Sequence, residues 1–175
     1  LFNGSYSVAS GLMVAGYDVL SYYPISPATD ETSRLESIGM VKLHHGKRYQ
    51  PRIVQMEDEM ASIAAAAGAS LTGARTSTST SGPGLSLMSE TLGWAGMTEV
   101  PLVNSHYMRG GPSTGMPTRT DQGDLMFAIH AGHGEFPRNV KATGSVEDAV
   151  YDSMITGRSD ELYRLPGIQV LHLHL

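Results

Sequence analysis

The stretch Arg75–Tyr107, RTSTSTSGPGLSLMSETLGWAGMTEVPLVNSHY, decides the fold class. RTSTSTS reads as a strand, and Gly-Pro-Gly can extend neither a strand nor a helix. LSLMSETLGWAGM reads as a helix and PLVNSHY as a second strand. Strand, turn, helix, strand within 33 residues is the unit from which parallel sheets are built.

The same alternation continues on both sides. Upstream, GSYSVASGLMVAG reads as a helix and DVLSYYP as a strand stopped by Pro24. A helix follows in PATDETSRLESIGMVKL, with Thr29, Asp30 and Thr32 as N-cap candidates and Leu35, Ile38 and Met40 as its apolar residues. After the polar connection HHGKRYQP come RIVQ, expected as a brief buried strand, and MEDEMASIAAAAGASLTGA, a helix acidic at its start and rich in Ala. Downstream, DLMFAIHAG is a helix, RNVKAT a strand, SVEDAVYDSMI a helix and GIQVLHLHL a strand. The expectation is one α/β domain over residues 1–175, with a mostly parallel sheet of about six strands and helices on both faces.

Composition narrows the function classes. The net charge is -5 and the basic residues are scattered, which is no footprint for nucleic acid. There are no cysteines, so this chain offers no thiolates for an iron–sulfur cluster or zinc. No apolar run reaches the roughly 20 residues of a membrane span, and a soluble, cytoplasmic protein is expected. The histidines (44, 45, 106, 130, 133, 172, 174) form no metal-ligand spacing, so no metal site is expected on this chain. Glycine and proline together make 29 of 175 residues, above the roughly 12% of average usage. They sit between apolar segments, which signals elaborate loops.

In a parallel sheet the loops at the carboxyl ends of the strands meet at one edge, where ligands bind. Four such loops are unusual. YYPISP brackets Ser26 between prolines and presents a hydroxyl on a stiff arch. MEDEM sets Glu57, Asp58 and Glu59 where a helix begins. Helix N-termini favour carboxylates, but three in succession repel one another, and the flanking Met56 and Met60 suggest that one points into an apolar setting, where desolvation raises a carboxyl pKa. TSGPG, Thr80–Gly84, lies between strand and helix, where backbone N–H groups can cradle an anion or a polar ring edge; it lacks the nucleotide-binding glycine patterns. The longest is MRGGPSTGMPTRTDQGD, Met108–Asp124, with four glycines, two prolines and Arg109, whose planar fork suits a carboxylate.

Taken in order, YPISP, QMEDEMASIAAAAGAS, TSTSGPGLSLMSE, EVPLV, RGGPSTGMPTRTDQGDL and GHGEFPR resemble the thiamine-pyrimidine domain of the 2-oxoacid:ferredoxin oxidoreductases, in the alpha subunit or region, most of all the 2-oxoglutarate type. The resemblance implies a thiamine diphosphate-binding fold and a half-site. This chain would grip the aminopyrimidine, while a diphosphate-binding beta subunit holds the diphosphate and Mg2+, and an iron–sulfur cluster on another chain passes electrons to ferredoxin. The implied reaction is coenzyme A-linked oxidative decarboxylation of a 2-oxoacid by a heteromeric complex. By the same resemblance Glu59 hydrogen-bonds the pyrimidine nitrogen, with Glu57 as rival for that role. Ser81, Gly82, Pro83 and Gly84 contact the cofactor, Arg109 pairs with the substrate carboxylate, and Ser26 stands where the family has a threonine that bonds the same substrate. Two departures stand out: the hydroxyl at Ser26 has lost its methyl, and NSHYM precedes Arg109, so His106 or Tyr107 could reach the substrate or cap the strand. The chain also stops at a strand where longer relatives continue, as a fragment or a separately encoded subunit would. Competing readings are a non-catalytic scaffold and a transketolase- or decarboxylase-like enzyme.

Overall fold

The computed structural model describes residues 3–42, 46 and 48–173, so His44, His45 and His174 lie outside the described residues. Helices α1 (Gly4–Ala15), α2 (Thr29–Ile38), α3 (Glu59–Ser70), α4 (Gly84–Thr98), α5 (Leu125–His130) and α6 (Val146–Tyr163) surround strands β1 (Val19–Tyr22), β4 (Arg52–Gln55), β5 (Thr76–Ser81), β6 (Leu102–Met108), β7 (Asn139–Ala142) and β8 (Pro166–His172). These six strands form one sheet in the order β4-β1-β5-β6-β8-β7, with every pairing parallel. The expected α/β architecture is therefore observed.

Alternation along the strands divides the core in two. One face packs Val8, Leu12, Leu20, Leu35, Val103 and Leu171 under α1, α2 and α6, and the other packs Ile63, Leu85, Met88, Leu92, Ile168 and Val170 under α3 and α4. The central strand β5 is buried at all six positions although each is Ser or Thr. Its small side chains leave room for hydroxyl partners: Thr78 Oγ1 lies 2.8 Å from Ser62 Oγ on α3, and Ser81 Oγ donates to Tyr107 O at 2.7 Å.

Helix α1 meets α6 backbone to backbone, since a Cβ on Gly11 would stand 2.5 Å from Val150 O. Phe136, from the GHGEFPR segment, lies over Gly93 and Gly96 of α4 and carries Arg138 on its ring at 3.8 Å. A cation over an aromatic face is attracted by the ring quadrupole.

Several local expectations are corrected. RIVQ is not a buried strand: β4 is the sheet edge, with Arg52, Val54 and Gln55 exposed. The N-cap of α2 is Ala28, without a side-chain cap; Thr29 and Thr32 instead donate to Ile25 O and Thr29 O. Met40 lies beyond α2, which ends at Ile38. The polar connection contributes to a separate antiparallel pair, β2 (Val41–Lys42) with β3 (Arg48–Tyr49). Helix α6 runs past Ile155 to Tyr163, because its buried stripe continues through Thr156, Gly157 and Asp160, which carry no large apolar signal.

Candidate active site

The four unusual loops follow β4, β1, β5 and β6, which are neighbours in the sheet and all point the same way. Their side chains therefore converge at one edge.

The loop after β4 gives its three acids three fates. Glu57 is exposed. Asp58 is the N-cap of α3, its Oδ1 accepting the Ala61 N–H at 2.7 Å. That cap fixes the first turn, and Glu59, the first helical residue, is carried inward to 6% exposure. Of the two rival carboxylates, Glu59 is the one brought against the other loops.

The loop after β5 explains its glycines. A Cβ on Gly84 would lie 2.0 Å from Thr80 Oγ1 and 3.0 Å from Glu59 Cγ and Oε1. A Cβ on Gly82 would lie 3.0 Å from Arg109 Cγ and Nε, and Gly82 itself has φ +49°. Each glycine thus admits one charged side chain. Part of the expected cradle is engaged within the protein: the Gly82 N–H donates to Tyr107 O at 3.3 Å, Pro83 has no N–H, and the fully buried Ser81 has its hydroxyl on the same carbonyl. The Ser81 hydroxyl ties β5 to β6.

Arg109 leaves the end of β6 and is 4% exposed. Its Nη1 donates to Ser26 O at 2.7 Å and its Nη2 to Thr114 O at 2.8 Å, which clamps the Pro-bracketed arch and the long loop around the guanidinium. Ser26 itself is exposed. Burial lowers the Arg109 pKa, and the nearby carboxylates of Glu59 and Asp124 oppose that shift; an arginine remains charged at neutral pH regardless. The long loop is ordered by its own bonds: Met116 N donates to Gly110 O at 2.7 Å and Gly110 N to Arg119 O at 3.0 Å. At its far end Asp124 Oδ2 sits 2.9 Å from Nε2 of the buried His106. His106 and Tyr107 are thereby committed inside the fold, Tyr107 donating to Glu31 Oε2 at 2.9 Å, and neither is directed at a substrate.

The cleft beside Arg109 has a volume of about 140 Å3 and is bordered by Gly82, Pro83, Ser86, Asp124 and Phe127. Two buried polar atoms at this edge, Thr80 Oγ1 and Arg109 Nε, lack partners within the protein. Buried polar atoms are rarely left so; here one hydroxyl shares the space at Gly84 with Glu59, and the other atom belongs to the Arg109 guanidinium itself. The residues present thus fit a polar cofactor with an anionic group beside it. Among the described residues no group of three or more His, Cys, Asp or Glu is arranged to hold a metal ion, and no helix is long and apolar enough to cross a membrane.

Sequence reasoning missed Thr80, Asp124 and Glu31. Glu31 was legible in part, because Ala28, Glu31, Leu35 and Ile38 recur at helical spacing and place the acid on the apolar stripe of α2. Asp124 closes the long loop only in three dimensions.

Comparison with known proteins agrees with this geometry. The family described as pyruvate flavodoxin/ferredoxin oxidoreductase, thiamine diphosphate-binding, matches residues 10–172. The chain is 47% identical over 169 residues to the 2-oxoacid:ferredoxin oxidoreductase 1 subunit alpha of Aeropyrum pernix, covering 97% of this chain and 26% of that protein. It is 41% identical to the 2-oxoglutarate oxidoreductase subunit KorA of Mycobacterium tuberculosis, covering 95% and 25%. The solved structure of 2-oxoglutarate:ferredoxin oxidoreductase from Magnetococcus marinus, with 2-oxoglutarate, coenzyme A and succinyl-CoA bound, superposes with a TM-score of 0.86 at 40% identity, over 96% of this chain and 28% of that one. The chain therefore spans about a quarter of the length of these relatives. A match over nearly all of its length, joined to a Glu59–Gly84 and Arg109–Gly82 arrangement at the carboxyl edge of a parallel sheet, shows that the chain belongs to the thiamine diphosphate-binding family of pyruvate flavodoxin/ferredoxin oxidoreductases.

Proposed function

We propose that this chain is the pyrimidine-binding half of a 2-oxoacid:ferredoxin oxidoreductase active site, of the 2-oxoglutarate type, working in coenzyme A-linked oxidative decarboxylation. The single observation that carries the reading is the pairing of two charged side chains with two glycines of one loop, Glu59 against Gly84 and Arg109 against Gly82. It supports reading Glu59 as the carboxylate that shares a proton with the cofactor and Arg109 as the guanidinium that binds the substrate carboxylate. The printed names of the relatives support the substrate class and the acceptor.

In this role Glu59 holds a proton against the pyrimidine ring, kept from water by its burial. Arg109 and the Ser26 hydroxyl orient the substrate carboxylate, and the two carbonyls already bonded to Arg109 keep the guanidinium from swinging. The loop of Ser81, Gly82, Pro83 and Gly84 would meet the cofactor, with Gly82 and Pro83 bordering the cleft and Gly84 against Glu59. Thiamine diphosphate supplies the nucleophilic carbon and the electron sink. A diphosphate-binding beta subunit with Mg2+, an iron–sulfur cluster on another chain and ferredoxin complete the assembly, in the cytoplasm. The exposed Met60 and Phe127 beside the site suit burial against that subunit.

The test is viologen reduction by the assembled enzyme with a panel of 2-oxoacids and coenzyme A. Glu59→Gln should abolish turnover and Glu57→Gln should not. Arg109→Met should raise KM for the 2-oxoacid roughly 10- to 100-fold, the value of hydrogen bonds to a charged group. Turnover dependent on Glu57 alone, or an unchanged KM in Arg109→Met, would overturn these assignments.

A further inference from the structure

Beneath the site, the Glu31 carboxyl is fully buried; its Oε2 accepts from Tyr107 Oη at 2.9 Å, and its Oε1 has no partner among the described residues. Glu31 lies five residues after Ser26, on the first turn of α2, and Tyr107 lies two residues before Arg109, on β6. Arg109 Nη1 in turn donates to Ser26 O at 2.7 Å. Two short chain segments, 26–31 and 107–109, are thus closed into a ring by two hydrogen bonds. The Tyr107 carbonyl also accepts Ser81 Oγ and the Gly82 N–H, so the glycine loop hangs from the same residue. An apolar pair of equal volume would fill this space but would leave α2 free to slide along β6, since dispersion has no direction.

Resting on the function proposed above, we infer that Glu31 and Tyr107 are positioning residues for the 2-oxoacid: their buried hydrogen bond sets the separation of the Ser26 hydroxyl from the Arg109 guanidinium. Neither touches the substrate. Their removal loosens the substrate end of the cleft and leaves Glu59, which is anchored separately through α3, in place.

The experiment compares Tyr107→Phe, Glu31→Leu, the double variant and Glu31→Gln in the assembled enzyme, with thiamine diphosphate affinity measured alongside. Each of the first two should raise KM for the 2-oxoacid roughly tenfold, the effect of one buried hydrogen bond, with kcat and cofactor affinity changed less than threefold. The double variant should be no worse than either single one, as for partners in one interaction. Glu31→Gln, whose amide oxygen can still accept from Tyr107, should restore KM. A merely structural role would instead lower the fraction of active enzyme at unchanged KM, and that result would overturn the inference. A crystal structure of the Tyr107→Phe assembly supplies a readout independent of turnover: retention of the Arg109–Ser26 contact overturns the inference, and its loss supports it. An inactive wild-type assembly would fail the proposed function alone and leave this structural arm to decide.

Discussion

Glu31→Gln should make the chain more stable at neutral pH. Complete burial pushes the Glu31 carboxyl from the ordinary 4.5 up to about 8, with the Tyr107 and Ser105 hydroxyls only partly opposing the shift. Between those two values the folded protein holds a proton that the unfolded chain has released, so folding becomes less favourable as pH rises. The slope is about 1.4 kcal/mol per pH unit for one group. Accumulated from 4.5 to 7, the loss is roughly 3 kcal/mol relative to acid pH. Glutamine keeps the shape and the bond from Tyr107 but does not ionise. The variant should therefore match the wild type near pH 4, exceed it by roughly 3 kcal/mol at pH 7, and gain no more above about pH 8. For a chain of this length that corresponds to a rise in Tm of about 6–12 °C at pH 7. Urea titrations followed by circular dichroism at pH 4, 5.5, 7 and 8.5 would measure the difference. Parallel pH dependence in the two proteins would refute the reasoning, because it would mean that Glu31 ionises in the folded state as readily as in water.

Other substitutions test other parts of the molecule. Asp160→Asn should behave in the same sense, since burial raises that carboxyl from 3.8 to about 8 and Asn139 Nδ2 can still donate to the amide oxygen; a flat difference between pH 4 and 8 would count against it. Gly84→Ala should lose about 1–3 kcal/mol in chemical denaturation, because its methyl collides with Thr80 Oγ1 and Glu59. Gly68→Ala, on the open side of α3 where a Cβ meets nothing, should gain about 0.5–1 kcal/mol in the same assay. Asp58→Ala should lose about 1 kcal/mol with its cap, whereas Glu57→Ala, two steps from Glu59 and exposed, should stay within about 0.5 kcal/mol.

Most of the sheet strands and helices were legible because they announce themselves locally, by apolar spacing closed with Gly or Pro; β5, all Ser and Thr, was legible from its alternation and the Gly-Pro-Gly that ends it. The common edge for the four loops was legible too, since parallel alternation dictates it. What escaped depended on contacts between distant segments. RIVQ looked like a core strand because its two central residues are β-branched and apolar, and nothing local says that it pairs on one side only. The second half of α6 sets Gly157 against Tyr17 and Asp160 against Gly167 and Asn139, residues that carry no hydrophobic signal. At the site, Glu59 and Arg109 could be singled out from residue type and resemblance. The reason for Gly82 and Gly84 could not, because it lies largely in side chains that arrive from distant positions, Arg109 27 residues after Gly82 and Glu59 25 residues before Gly84. The same holds for His106 and Tyr107, whose partners sit on other elements.

The adjacency of β4, β1, β5 and β6 makes the sheet a ruler for the site. Neighbouring parallel strands keep a pitch of about 4.8 Å, fixed by backbone hydrogen bonds and indifferent to side chains. Glu59, Ser26, the glycine loop and Arg109 hang from four successive marks, a row of three intervals or roughly 14 Å. The ladder fixes the coarse spacing of these groups, and side-chain bonds such as Arg109 to Ser26 O and Tyr107 to Glu31 set the fine one. Shifting the whole row would require breaking the ladder itself.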